Sequence, residues 1–398
     1  MTPEKHHETD FEYRYTEAGG VIVTGCGGGG GEVRVPPVLG GRTVRGIGPG
    51  AFRFNEDATG VLLPDTLTAI GEGAFFGCRR LARVFIPRSV VRIDGNPFAG
   101  CDALAGIAVD PANPRFRVTD GVLWDADPVD PRVVCYPGGK TDASYTLPAG
   151  TGYVGKQAFF GNCHLQRVAL SDDVGAIQTE AFSQCAALRE VVFPARLHRI
   201  GTMAFFRCPC LEEAILPDSL EELGIWAFAA CGALSRVRLS KGLNRFSISA
   251  FRDCDRLRSL VVPEGVRELR IDDRAALPPG AGKAVWVPLS VERVENEDEW
   301  QGAGYTFHVP RSRLGLWSRR AFAGQDIRLR VKWDELAREG PTLRGRIRRW
   351  LWKLRWGLGP LCSRSGPWAK RRFRIVPIRD GEAGGPEDTE NMKLTSGG

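Results

Sequence analysis

The sequence predicts a repeat solenoid with a parallel β-sheet along its concave face, followed by a basic, partly helical C-terminal extension. Three observations predict it. An Ala-Phe pair recurs at Ala51-Phe52, Ala74-Phe75, Ala158-Phe159, Ala181-Phe182, Ala204-Phe205, Ala227-Phe228 and Ala250-Phe251, with a step of 23 residues wherever copies are consecutive. Pro97-Phe98 is a variant of the same pair. Other apolar residues recur in phase with it, and a fixed period of this length marks stacked supersecondary units. The third observation is a segment between Pro341 and Arg379 with twelve Lys/Arg and no Asp or Glu, which leaves the rest of the chain mildly acidic.

Each part of the unit has a physical role. Leucine stands seven residues after the Ala, at Leu81, Leu165, Leu188, Leu211, Leu234 and Leu257. Apolar residues follow three later (Val84, Val168, Val191, Val237) and again two later (Ile86, Leu170, Phe193, Leu216, Val262). That alternation describes one short strand per copy with its apolar side chains pointing inward. Proline after the strand (Pro64, Pro87, Pro194, Pro217, Pro263) stops the ladder, and a glycine before the next Ala-Phe suits a tight turn. A second apolar pair, such as Leu67 and Ile70 or Leu197 and Ile200, completes the unit. One copy cannot bury its apolar side alone, so stacked copies share a continuous core.

Written out, the unit is Leu-x-x-Val-x-Ile-Pro-x-x-Val-x-x-Ile-Gly-x-x-Ala-Phe-x-x-Cys, which resembles the BspA-type (Treponema-type) leucine-rich repeat. The resemblance reaches beyond the repeats. Gly31–Phe52 is similar to the first repeat of that family and "FEYRYTEAGGVIVTG" to its preceding hairpin. Asn113–Lys140 resembles the hairpin-bearing long repeat found inside such arrays, and Phe307–Gly324 the closing segment. The resemblance implies an N-terminal tail and hairpin cap over 1–30 and repeats over 31–270, with the long repeat at 102–157. Degenerate closing repeats follow over 271–325. The basic extension at 326–380 and a tail of disordered composition at 381–398 lie beyond it. It also implies a non-catalytic binding protein, of a kind often found on cell surfaces.

The remaining motifs favour packing over chemistry. Cys78, Cys101, Cys185, Cys208, Cys231 and Cys254 occupy one repeat position, as a column of small buried thiols would. Cys208-Pro209-Cys210 is too short for a zinc pair, and no second pair follows. "GCGGGG" (Gly25–Gly30) matches a dinucleotide loop, but "EVRVPPV" follows it where a helix is needed. "VCYPGGKT" (Val134–Thr141) ends like a phosphate loop but lacks its first glycine, so a hairpin turn is expected. The five histidines are scattered, and no acid/base pair is legible from spacing. No catalytic residue, cofactor, metal or small-molecule substrate is expected.

Two surfaces remain as candidates. Residues between the inward positions of each strand face outward: Arg83, Phe85, Arg167, Glu190, Val192, Glu213, Ile215, Arg236, Arg238 and Val261. Phe85, Val192, Ile215 and Val261 form an apolar stripe bordered by charge, the pattern of an interaction site for a protein partner. The second surface is "LRGRIRRWLWKLRWGLGPL" (Leu343–Leu361), with Leu343, Ile347, Trp350, Leu351, Leu354 and Leu358 at helical spacing. Arg344, Arg348, Arg349, Lys353 and Arg355, together with Trp350, suit an anionic membrane surface; a cap on the last repeats is the bland alternative. Nucleic acid is not favoured, because no recognition fold accompanies the charge. The N-terminal "MTPEKHHETDFEYRY" has no apolar core and no run of eighteen apolar residues occurs, so a cytoplasmic protein is expected. A cell-surface or peripheral-membrane location is the alternative.

Overall fold

A computed structural model describes residues 6–8, 10–27, 30–271, 283–295, 305–310, 326–332 and 374–378. The chain divides into two units, Met1–Arg236 and Val237–Gly398.

In the first unit the repeats contribute two strands each, the second of only two residues in most copies, and each kind forms its own parallel ladder. The longer strands are Gly31–Arg34, Ala58–Leu62, Arg83–Ile86 and Gly106–Val109, then Ser144–Thr146, Arg167–Ala169 and Glu190–Val192. The short ladder runs through Val21–Cys26, Arg42–Ile47, Ala69–Ile70 and Arg92–Ile93. It resumes at Arg132–Cys135, Tyr153–Val154, Ala176–Ile177, Arg199–Ile200 and Glu222–Leu223. Register is pinned because Val61, Val84 and Ile107 must face the core, and a one-residue slip would turn them to water. The expected N-terminal hairpin is present as Phe11–Tyr15 against Val21–Cys26, whose second strand begins the short ladder.

The Ala-Phe turns build the third wall. The Phe52 N–H donates to the Ala74 carbonyl at 2.7 Å, and Phe159, Phe182 and Phe205 repeat the bond to the Ala of the following copy at 2.8, 2.7 and 2.7 Å. The buried rings stack from copy to copy. Phe159 lies 4.6 Å from Phe182, Phe182 lies 5.1 Å from Phe205 with planes 2° apart, and Phe205 lies 4.9 Å from Phe228. These separations match the spacing of paired strands, so rings and ladders share one repeat distance.

The long repeat inserts a hairpin, Phe116–Thr119 against Val122–Asp125, which pairs on to Arg132–Cys135. Cys135-Tyr136 then stands in for Ala-Phe. The Tyr136 N–H donates to the Ala158 carbonyl at 2.8 Å, and its ring stacks 5.1 Å from Phe159. The turn after it is the segment that resembles the end of a phosphate loop. Its glycines serve contact with backbone: a Cβ on Gly138 would lie 2.6 Å from the Cys101 carbonyl oxygen, and one on Gly139 2.9 Å from the Ala103 carbonyl carbon.

The glycine after the inward Ile has a different role from the one expected. Gly71, Gly155, Gly201 and Gly224 do not take the left-handed conformation. A Cβ on Gly224 would lie 2.4 Å from the Gly201 carbonyl carbon, and one on Gly201 2.6 Å from the Thr179 nitrogen, so these glycines permit backbone to touch backbone. The left-handed positions instead flank the Ala-Phe pair. Before it stand Gly73, Gln157, Glu180, Met203 and Trp226; after it stand Phe54, Gly77, Gly161, Gln184, Arg207 and Ala230. Non-glycine residues pay about 1 kcal/mol or more to sit there. Gln184 is exposed at φ 62°. Gln184→Gly is therefore expected to stabilise the unit by about 0.5–1 kcal/mol, read as a raised midpoint of urea unfolding.

The second unit repeats the scheme. Arg245–Ser247, Glu268–Arg270 and Arg293–Glu295 form one parallel sheet. Ser259–Val261, Lys283–Trp286, Tyr305–Pro310, Asp326–Lys332 and Arg374–Ile378 form another. Its Ala-Phe turn is a short 3-10 helix, Ile248–Phe251, capped by the Ser247 side chain accepting from the Ser249 N–H at 3.2 Å. Phe251, Leu257, Leu260, Val262 and Val266 are buried as the period requires. The predicted basic helix at 343–361 lies outside the described residues.

Candidate partner-binding face

Alternation along the longer strands fixes what the face shows. Val84 and Ile86 are buried, so Arg83 and Phe85 point out. Because the strands pair in parallel register, equivalent residues line up in columns: Gly60, Arg83 and Gly106 in one, Phe85 and Ala108 in the next. Further along, Ser144, Arg167 and Glu190 share a column, as do Thr146, Ala169 and Val192. Glu213, Ile215 and Arg236 occupy the corresponding outward positions of their strands. Phe85, Val192 and Ile215 are 46%, 39% and 43% exposed, and Leu62 joins them at 41%. Arg238 and Val261 are outward in the second unit. Arg344, Arg348, Arg349, Trp350, Lys353 and Arg355 lie outside the described residues.

The charges on this face are organised by the repeat step. Arg167 pairs with Glu190 at 3.2 Å, Arg189 with Glu212 at 3.3 Å, and Arg236 with Glu213 at 2.5 Å, each partner 23 residues away. Exposed pairs of this kind contribute little stability, so their effect is to neutralise this stretch of the face.

The cysteine column is part of the wall. The thiols of Cys78, Cys101, Cys185, Cys208 and Cys231 donate to the carbonyls of Phe52, Phe75, Phe159, Phe182 and Phe205 at 3.0–3.1 Å. The carbonyls of Phe52, Phe75, Phe159 and Phe182 also accept a backbone N–H, so there the thiol is a second, weak donor on a carbonyl with two lone pairs. Burial pushes the Cys208 thiol well above its ordinary range, and burial raises Cys135 to about 12. Cys208 and Cys135 are thus protonated packing groups, whereas the hydrogen bond with Cys101 lowers Cys78. Among the described residues, no group of three or more His, Cys, Asp or Glu is placed to hold a metal ion. No helix among them is long and apolar enough to cross a membrane.

A second exposed patch escaped the sequence reading. Phe54 is 58% exposed, and the Arg53 guanidinium lies 4.8 Å from the ring centres of both Phe54 and Phe76. Phe76 in turn meets Phe54 at 5.6 Å and Phe160 at 5.4 Å, giving an aromatic ledge beside the Ala-Phe turns. The available signal was the doubled phenylalanine at Phe75-Phe76 and Phe159-Phe160. Only the first of each pair keeps the core period; the second is out of phase with it.

Residues 41–113 and 152–273 match the BspA type leucine rich repeat region, in six copies. The chain belongs to the BspA-type leucine-rich-repeat proteins. Between the two matched stretches lies the hairpin-bearing repeat around Phe116–Cys135, where the 23-residue step is broken. Solved structures similar to this BspA-type chain include a leucine rich cell surface protein of Faecalibacterium prausnitzii, at 21% identity and TM-score 0.47, covering 65% of this chain and 94% of that one. The pneumococcal vaccine antigen PcpA matches at 18% identity and TM-score 0.48, covering 82% and 98%. A leucine-rich repeat protein of Eubacterium ventriosum matches at 20% identity and TM-score 0.43, covering 65% and 90%. No curated protein matches the sequence.

Proposed function

We propose that the chain is a non-catalytic recognition module that binds a protein partner on the outward face of the longer-strand ladder. The observation that carries this reading is the set of outward residues Leu62, Phe85, Val192 and Ile215, large apolar side chains about two-fifths exposed and bordered by charge. Strand propensity favours branched and aromatic residues at such positions, but it does not require large apolar side chains this far in water beside charged ones, which is the pattern of an interaction site. The hydrogen-bonded thiols support a reducing, cytoplasmic setting. The twelve basic residues of 341–379 support a second reading, attachment to an anionic membrane. Liposome sedimentation with and without that segment tests it.

The face reading is tested by affinity capture from the source cell with the full chain and with Phe85→Asp and Ile215→Asp. Both side chains point outward, so the variants are expected to fold, which circular dichroism checks. The expected result is that captured partners drop by about tenfold or more with either change. Every partner retained in both variants would defeat the proposal.

A further inference from the structure

We infer that the docking locus lies around Arg83 and that it takes an extended segment of the partner carrying a carboxylate two residues from an apolar side chain. The inference rests on the face reading above and adds where the face is used and by what chemistry. On most of the first unit's ladder, outward charges cancel. Arg34 bonds Glu32 in its own strand at 3.1 Å, and Arg167 and Arg236 each hold a glutamate one repeat away. Arg83 is the outward arginine of this ladder that has no ion pair among the described residues.

Its setting explains why. The register places Gly60 on one side of Arg83 and Gly106 on the other, where Arg167 and Arg236 have a glutamate. Gly106 is exposed, and a Cβ there would meet nothing within 4 Å, so the space beside the guanidinium is open. Two residues along the same strand stands Phe85, flanked by Ala108 and close to Leu62 in the adjoining strand. A cation and an exposed aromatic ring therefore sit about 6.6 Å apart along one strand, the spacing of alternate side chains in an extended peptide. Guanidinium matches carboxylate in a two-point hydrogen-bonded pair, and arginine beside an aromatic ring is the composition of an interface hot spot. An acid-x-apolar segment lying along the Arg83–Ile86 strand meets both groups at once.

The test is selection of a random peptide display library on the full chain, followed by binding of the selected peptides to variants. Recovered peptides are expected to share an acid-x-apolar pattern. Arg83→Glu is expected to weaken them about tenfold or more, Asp→Asn or Glu→Gln in the peptide to cost a similar factor, and Arg199→Glu, on the short ladder away from this face, to change little. Selected peptides without acids, or indifference to Arg83→Glu, overturn the inference. If such peptides are still lost on Phe85→Asp, the face reading survives and only the carboxylate assignment fails. Peptides indifferent to both Phe85→Asp and Ile215→Asp, or no survivors, count against both.

Discussion

Phe182→Ala is expected to lower the stability of the first unit by about 3–5 kcal/mol. Phe182 is fully buried, with Phe159 at 4.6 Å on one side and Phe205 at 5.1 Å on the other. Truncation leaves a cavity and removes two ring contacts, each worth about 0.5–1.5 kcal/mol beyond the area buried. The layers above and below cannot close the gap, because the Phe182 N–H to Ala204 carbonyl bond and the strand ladders on the other walls hold them one strand spacing apart. Urea unfolding of the full chain, followed by far-ultraviolet circular dichroism, measures the loss. A change below about 1 kcal/mol would mean that the layers collapse freely and that the stack is not the element holding them.

Asp125→Ala is expected to cost about 1.5–3 kcal/mol within the long repeat, because the mostly buried Arg132 loses its carboxylate, whereas Arg115, 42% exposed, keeps Asp127 at 3.3 Å. Asp125 is 2% exposed and accepts from Arg115 Nε at 2.8 Å, Arg115 Nη2 at 3.1 Å and Arg132 Nε at 3.3 Å. Arg132, itself mostly buried, also donates to the Ile93 carbonyl at 2.7 Å. The cluster thus ties the inserted hairpin to the preceding short strand. Hydrogen exchange over residues 116–125 reads the effect, and protection there is expected to fall by more than it does around Phe205. Asp125→Asn retains the volume and part of the hydrogen bonding and is expected to be the milder change.

Much of this fold is legible because each repeat spends the same residues on the same task. The 23-residue step finds the buried Phe column, the inward Val and Ile of the longer strands, and the outward Arg83, Phe85 and Ile215. Less of the rest can be read. Left-handed positions carry Gly in some copies and Gln157, Glu180 or Met203 in others, so no residue type marks them. Glycine after the inward Ile reads as a turn residue, whereas its cause is the backbone of the preceding copy, which no local pattern reveals. Tyr136 takes a phenylalanine's place with Cys135 beside it, and a search for Ala-Phe passes over it. The cysteine column is visible, but its bond to a carbonyl 26 residues back depends on how one layer settles on another. Pairs such as Arg167–Glu190 were available at the repeat step, since their partners are 23 residues apart. Their consequence, that Arg83 is left over between Gly60 and Gly106, needs the register.

The central claim is that a copy of the repeat is stable only against its neighbours. Amide hydrogen exchange compares the full chain with a synthetic peptide spanning residues 181–203, one complete copy. The account predicts slow exchange at the Phe159, Phe182 and Phe205 amides in the chain, whose acceptors belong to the next copy, and free exchange throughout the peptide. A peptide that protects its own amides as the chain does, or unprotected amides at those three phenylalanines in the chain, would contradict it.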